Sequence, residues 1–121
     1  MADRLKSTMK RSLASQGQQV LYAVADNSTS QSVILSVSVC NTASGDLAFT
    51  MRTKDPNDNW GYGANTVFHI YVNQSLPGYS TFIHNDKIIL NQDEELIFIV
   101  PSPYSSADIE IITTLLEQTS L

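Results

Sequence analysis

The sequence predicts an all-β fold: an antiparallel β-sandwich, jelly-roll-like, of about eight strands, behind an extended or short-helical N-terminal arm. Three observations carry this. From residue 18 onward the apolar residues recur with period two rather than 3.6. They fall in short segments separated by turn-forming residues. Those segments are rich in β-branched and aromatic side chains. The 121 residues, 42% of them hydrophobic, suit a single globular domain. The expected division is a basic arm over residues 1–17 and a sandwich over residues 18–121.

The arm reads MADRLKSTMKR and then SLASQGQQ. No apolar stretch follows the charged start, so a cleaved export leader is not expected. Arg4, Lys6, Lys10 and Arg11 against Asp3 give this segment +3. The other three basic residues against eleven acidic ones give the rest of the chain −8. A basic arm on an acidic body is expected to meet something negative, most simply another copy of that body. Leu5 and Met9, four apart, would suit a short helical turn.

In the body, Val20–Val24 is a β-rich run closed by the turn formers Asp26 to Ser30. Val33 to Cys40 is the clearest strand, with Val33, Leu35, Val37 and Val39 on one face and Ser36 and Ser38 on the other. A turn from Asn41 to Asp46 precedes Leu47, Phe49 and Met51, which alternate with Ala48 and Thr50. A long polar loop spans Thr53 to Asn65. Thr66 to Asn73 is a strand with Phe68, Ile70 and Val72 on one face. Leu76-Pro77-Gly78-Tyr79 suits a type II turn with Gly third. Ser80–His84 and Lys87–Leu90 flank Asn85-Asp86 as a tight hairpin. Leu96–Val100 is apolar throughout, as a strand covered on both faces would be. Pro101 and Pro103 break it. Ala107 to Glu117 puts Ile109, Ile111, Thr113 and Leu115 on one face, and its β-branched residues favour strand over helix.

Little in the chain points to a reaction. His69 and His84 are its two histidines, and neither lies in a Ser-His-Asp or Cys-His signature or a His-x-His pair, so a cupin-like metal enzyme is not expected. Cys40 reads as a small buried hydrophobe. No cofactor and no metal are expected, although Asp55-Pro56-Asn57-Asp58-Asn59 offers the oxygen ligands that calcium uses. Asp93-Glu94-Glu95 reads as a solvated turn that guards a strand. The formal charge of −5 argues against nucleic acid, and no apolar run is long enough for a membrane helix. Trp60-Gly61-Tyr62-Gly63 is the most unusual stretch, with the single tryptophan in the longest polar loop. Trp60 and Tyr62 are expected either to anchor a protein interface or stack on sugar, or else to fold back over the core.

Several segments together carry a family likeness: Ala2-Asp3-Arg4-Leu5-Lys6, Val37 to Thr42, Tyr71 to Thr81, Asp86 to Leu90 with Asp93 to Leu96, and Ile109 to Glu117. Over residues 2–118 the chain resembles small virion structural proteins of tailed bacteriophages, of the cyanophage kind. It departs from them in the long Asp55–Ala64 loop. The resemblance implies a non-enzymatic protein of the virion that decorates or joins capsid, neck or tail components. Its implied partners are other virion proteins and copies of itself, as a trimer or higher homo-oligomer. The candidate contact residues are then Arg4, Leu5, Lys6, Lys10 and Arg11 in the arm, with Trp60 and Tyr62 in the loop. The alternative is a receptor- or carbohydrate-binding sandwich, calcium-assisted, on a tail fibre.

Overall fold

The computed structural model describes residues 2–12, 18–24, 29–58, 60–100 and 109–119. Among them are nine strands: β1 (Ala2–Ser12), β2 (Gln18–Ala23), β3 (Thr29–Asn41), β4 (Leu47–Asp55), β5 (Thr66–Leu76), β6 (Thr81–His84), β7 (Ile88–Asn91), β8 (Glu95–Ile99) and β9 (Ile109–Thr119). One sheet runs β1-β9-β3, with β6 and β7 both paired to the far side of β3. The other runs β2-β8-β4-β5. Every pairing is antiparallel.

β6 and β7 do not form the hairpin expected around Asn85-Asp86. β6 pairs Val37 to Cys40 and β7 pairs Gln31 to Ile34, end to end along one partner. Together they are one edge strand interrupted opposite the register shift between Ile34 and Ser36. Counted so, two four-stranded sheets result, and the chain crosses between them in the order that makes a double Greek key. That is the jelly roll.

Residues 2–12 correct the expectation of a separate arm. β1 pairs β9 without a break, from Ala2 opposite Thr119 to Ser12 opposite Ile109. The four-residue spacing of Leu5 and Met9 is an even number, so it places both on one face of a strand as readily as on one face of a helix. Arg4, Lys6, Thr8 and Lys10 point to the other side, in register with the buried Glu117, Leu115, Thr113 and Ile111 of β9. Inward-pointing charges on an edge strand hinder pairing with foreign strands.

The core lies between the sheets. Phe49 and Phe98 stack at 5.1 Å, with Phe82 edge-on to Phe49 at 5.4 Å and Tyr71 edge-on to Phe82 at 5.0 Å. Leu47, Phe49 and Met51 are buried along β4, and Ile109, Ile111, Thr113 and Leu115 along β9, as their alternation predicts. Leu96, Ile97 and Phe98 are all buried. Ile97 stands in register with Val20 and Arg52, away from the inward-facing Leu96 and Phe98.

β3 departs from its predicted face. Ser32 and Ile34 point inward, then Val37 and Val39 do, while Val33 and Leu35 are half-buried. The bulge between Ile34 and Ser36 shifts the phase by one residue, which moves every side chain before it to the opposite face. β5 carries register shifts too, so Tyr71, opposite Met51, packs against the core with Ile70 while Val72 is exposed; Phe68, opposite Thr53, is 41% exposed near the open end of the strand.

The turn after β5 is shifted by one residue from the prediction. Ser80 N–H donates to Pro77 C=O at 3.2 Å, and Tyr79 holds the left-handed conformation at φ 56°. Gly78 is needed for space instead: a Cβ there would lie 2.1 Å from the Ser44 carbonyl oxygen. The Asp26 turn falls outside the described residues as far as residue 28, as does the Pro101–Pro103 break.

Candidate partner-binding surface

The β4–β5 loop is held from inside. Asp55, buried at the end of β4, accepts from Asn57 N–H at 3.0 Å. Asp58 accepts from Gly63 N–H at 2.7 Å, and the Thr66 hydroxyl donates to Gly63 C=O at 2.7 Å. Asp58, Gly61, Gly63 and Asn65 all have positive φ, which coils the loop tightly. Two bonds then tie it to the turn between β7 and β8: Asn57 Nδ2 donates to Asp93 at 2.7 Å, and Trp60 Nε1 donates to Glu94 Oε2 at 3.0 Å.

Glu94 is therefore a brace, not the solvated guard predicted for Asp93-Glu94-Glu95. It is buried, and its Oε1 also accepts from Asn91 N–H at 2.8 Å. The carboxylates of Asp55 and Asp58 are likewise engaged by backbone N–H groups. Among the described residues no three His, Cys, Asp or Glu side chains converge as a metal site would require.

Held this way, Trp60 remains 56% exposed and Tyr62 74%. Phe68, 41% exposed on β5, packs edge-on to Tyr62 at 5.9 Å. The three rings line one apolar depression, which borders a cleft of about 250 Å³ walled by Phe68, His69, Ile88, Leu90 and Glu94. Sequence reasoning missed Phe68, because it grouped that residue only with Ile70 and Val72 on one strand face, and nothing local joins it to the loop aromatics. The folding-back alternative for Trp60 is half realised: the indole N–H is tied down, while the ring faces outward.

The basic candidates lie at the opposite edge. Arg4 reaches the Glu117 carboxylate at 2.5 Å and Lys6 at 3.5 Å, while Arg11 pairs with Glu110 at 2.9 Å. The acidic body that the basic segment meets is thus its own. Leu5 and Lys10 are exposed, and Lys10 borders a shallow groove with Met9 and Ile112. The Tyr22 hydroxyl donates to Glu117 and lies 2.9 Å from the Ser32 hydroxyl, so a buried polar cluster joins β1, β2, β3 and β9. β1 also meets β2 through the Thr8 hydroxyl, which donates to Leu21 C=O at 3.4 Å.

Burial pushes the Tyr22 hydroxyl up to about 12, and the Glu117 carboxylate reinforces this. Burial alone would raise Glu117, but hydrogen bonds from Tyr22 and Arg4 outweigh it and hold Glu117 below its usual range. The signs set a pH window. Tyr22 keeps its proton in the folded chain where the unfolded chain loses it, so its contribution is complete below pH 10 and is lost between pH 10 and about 12. Glu117 acts in reverse: its contribution is present above its unfolded value and is lost as pH falls through the lower folded one. Urea midpoints are expected to fall across the alkaline window in the native chain and to fall less in Tyr22→Phe. Equal slopes in the two chains would refute this assignment.

The remaining predicted residues carry no shared site. His84 is buried, with Nδ1 2.7 Å from the Tyr71 hydroxyl, while His69 is exposed beside the cleft. Cys40 is half-buried on the outer face of its sheet, in register with Glu110 and Thr81, and so is not the core residue predicted.

No family model matches the sequence, and no curated protein does. Solved structures do match. A chain of the infectious bursal disease virus particle superposes with a TM-score of 0.56 at 11% identity, over 97% of this chain and 31% of that one. The VP2 subviral particle of the same virus gives 0.55 at 14%, over 97% and 32%. Its Gt strain gives 0.51 at 14%, again over 97% and 32%. What is shared is the fold. At these identities the likeness extends no further, and this chain spans about a third of the length of the chains it matches.

Proposed function

We propose that this chain is a non-enzymatic structural protein of a virion, and that it decorates or joins capsid, neck or tail components of a tailed phage. The observation that carries the proposal is the display of Trp60. Buried and turn carboxylates are spent on holding a large aromatic ring outward, next to Tyr62 and Phe68, where it offers apolar area to a partner. The fold likeness to viral particle chains supports a place in the virion, and the sequence resemblance supports the phage assignment. Other virion proteins are the partners proposed for the aromatic patch, and copies of the chain, as a trimer or higher, complete the assembly. Arg4 and Lys6, already paired with Glu117 of their own chain, contribute to docking mainly by keeping β1 in the sheet.

Trp60→Ala is expected to abolish incorporation into particles while the isolated chain keeps its far-ultraviolet spectrum and its thermal midpoint within about 2 °C. Normal incorporation of a folded variant would overturn the proposal. The second reading, carbohydrate binding on a tail fibre, is favoured by Trp60 and Phe68 lining a cleft together with Asp55, His69 and Glu94. Titration of the isolated chain with glycans separates the two, because saturable binding lost in Trp60→Ala supports the sugar reading. The engagement of Asp55 and Asp58 by backbone amides removes support for a calcium-assisted form.

A further inference from the structure

The outer face of the β1-β9-β3 sheet is banded. The registers place Asp3, Gln118, Gln31 and Asn91 in one row across it, then Leu5, Leu116, Val33 and Ile89 in the next outward-facing row, with the β3 bulge lying between that row and the third. Ser7, Thr114 and Ser36 form the middle row. Met9, Ile112, Ser38 and Ile83 follow, and Arg11, Glu110, Cys40 and Thr81 close the face. The pattern is polar, apolar, small hydroxyl, apolar, polar, and it reads nearly the same from either end. Leu5 is 71% exposed, Met9 74%, Ile83 56% and Ile89 58%.

We propose that a second copy of this chain docks on this face, about a two-fold axis lying along the Ser7–Thr114–Ser36 row. That rotation reverses the strand direction and keeps the order of strands. It stacks the Leu5 row of one copy on the Met9 row of the other, apolar on apolar. Asp3 of one copy then faces Arg11 of the other at both ends, where Arg11 is shared with Glu110 of its own chain, and the hydroxyl row meets itself. Rotation about the strand direction would instead set β1 over β6 and β7, leaving Asp3 and Arg11 opposite uncharged Asn91 and Thr81. Charge therefore selects the first axis. The face measures about 27 Å by about 18 Å from strand spacings, so about 1,000 Å² is covered over two copies. Specific contacts begin at that size. The contact is separate from the aromatic patch and needs only the isolated chain, so it stands or falls independently of the virion proposal.

Sedimentation equilibrium on the isolated chain tests it. Self-association is expected, weakened about 100-fold in Leu5→Glu/Met9→Glu and again in Ile89→Glu on the far side of the face. Unaltered circular dichroism shows that the variants fold. A second measurement tests the axis. In a Cys40→Ser background, chains carrying Leu5→Cys mixed with chains carrying Met9→Cys are expected to join through a short thiol cross-linker, and neither is expected to cross-link alone. A strictly monomeric native chain at about 100 µM, association indifferent to the glutamates, or cross-linking of Leu5→Cys with itself would each overturn the proposal.

Discussion

Phe49→Ala is expected to lower stability by about 3–5 kcal/mol, the largest effect of any single truncation in this chain. Phe49 is fully buried on β4, stacked on Phe98 and edge-on to both Phe82 and Tyr71. Its ring thus joins strands of both sheets. The loss combines the transfer term for the deleted atoms with a cavity term, since two antiparallel sheets at fixed spacing close up poorly. A domain of this size has about 5–15 kcal/mol in all, so the variant sits near the threshold of folding. Thermal unfolding is expected to fall by more than about 10 °C. A fall under about 3 °C would show that the two sheets do not meet through this residue.

Asn41→Ala is expected to cost about 2–4 kcal/mol, far more than a loop asparagine usually does. Asn41 is fully buried at the end of β3. Its Nδ2 lies 2.8 Å from Gly45 C=O, 3.0 Å from Leu76 C=O and 3.2 Å from Pro77 C=O, and its Oδ1 accepts from Ala43 N–H at 2.9 Å. One side chain thereby fastens the β3–β4 turn to the end of β5, where Gly78 also meets Ser44. Truncation leaves carbonyls without a donor at a site water reaches poorly, and that desolvation penalty exceeds the net worth of the bonds themselves. Asn41→Asp keeps the acceptor but sets a carboxylate among carbonyls, so denaturant titration is expected to find it no more stable than the alanine variant. An aspartate chain as stable as the native one would show that the amide donors are not what closes this corner.

These two residues mark the limits of what the chain displays in advance. Phe49 was legible because Leu47, Phe49 and Met51 alternate with small residues, and a regular strand over a core preserves that alternation. Asn41 was not, because asparagine after a strand is the commonest of turn residues, and its importance comes from Leu76 and Pro77, more than thirty positions away. Glu94 eluded the sequence for the same reason: only the approach of the β4–β5 loop turns a surface-like carboxylate into the support of Trp60. Val72 does not share the face of Phe68 as alternation predicts, because β5 slips register between them: Phe68 pairs Thr53 and Tyr71 pairs Met51, both on the core side.

The sequence by itself determined the class of fold and the places where chemistry would gather. Period two, short segments and turn residues are local properties; the alternation held for β4 and β9, and the unbroken apolar run held for β8. The single tryptophan, followed by Gly61-Tyr62-Gly63, was visible as a candidate contact residue with folding back over the core as its alternative, and the basic start as a segment in search of acid. Only the tertiary structure decided that the acid is Glu117 and Glu110 of the same chain, which makes residues 2–12 a strand of the sandwich. It also decided that the β3 bulge lies opposite the break between β6 and β7, and that polar and apolar rows line up across four positions of one sheet. The physical reason is one of range. Alternation is set by neighbours two residues apart, whereas pairing, register and burial of charge depend on partners about a hundred residues away, such as Arg4 and Glu117.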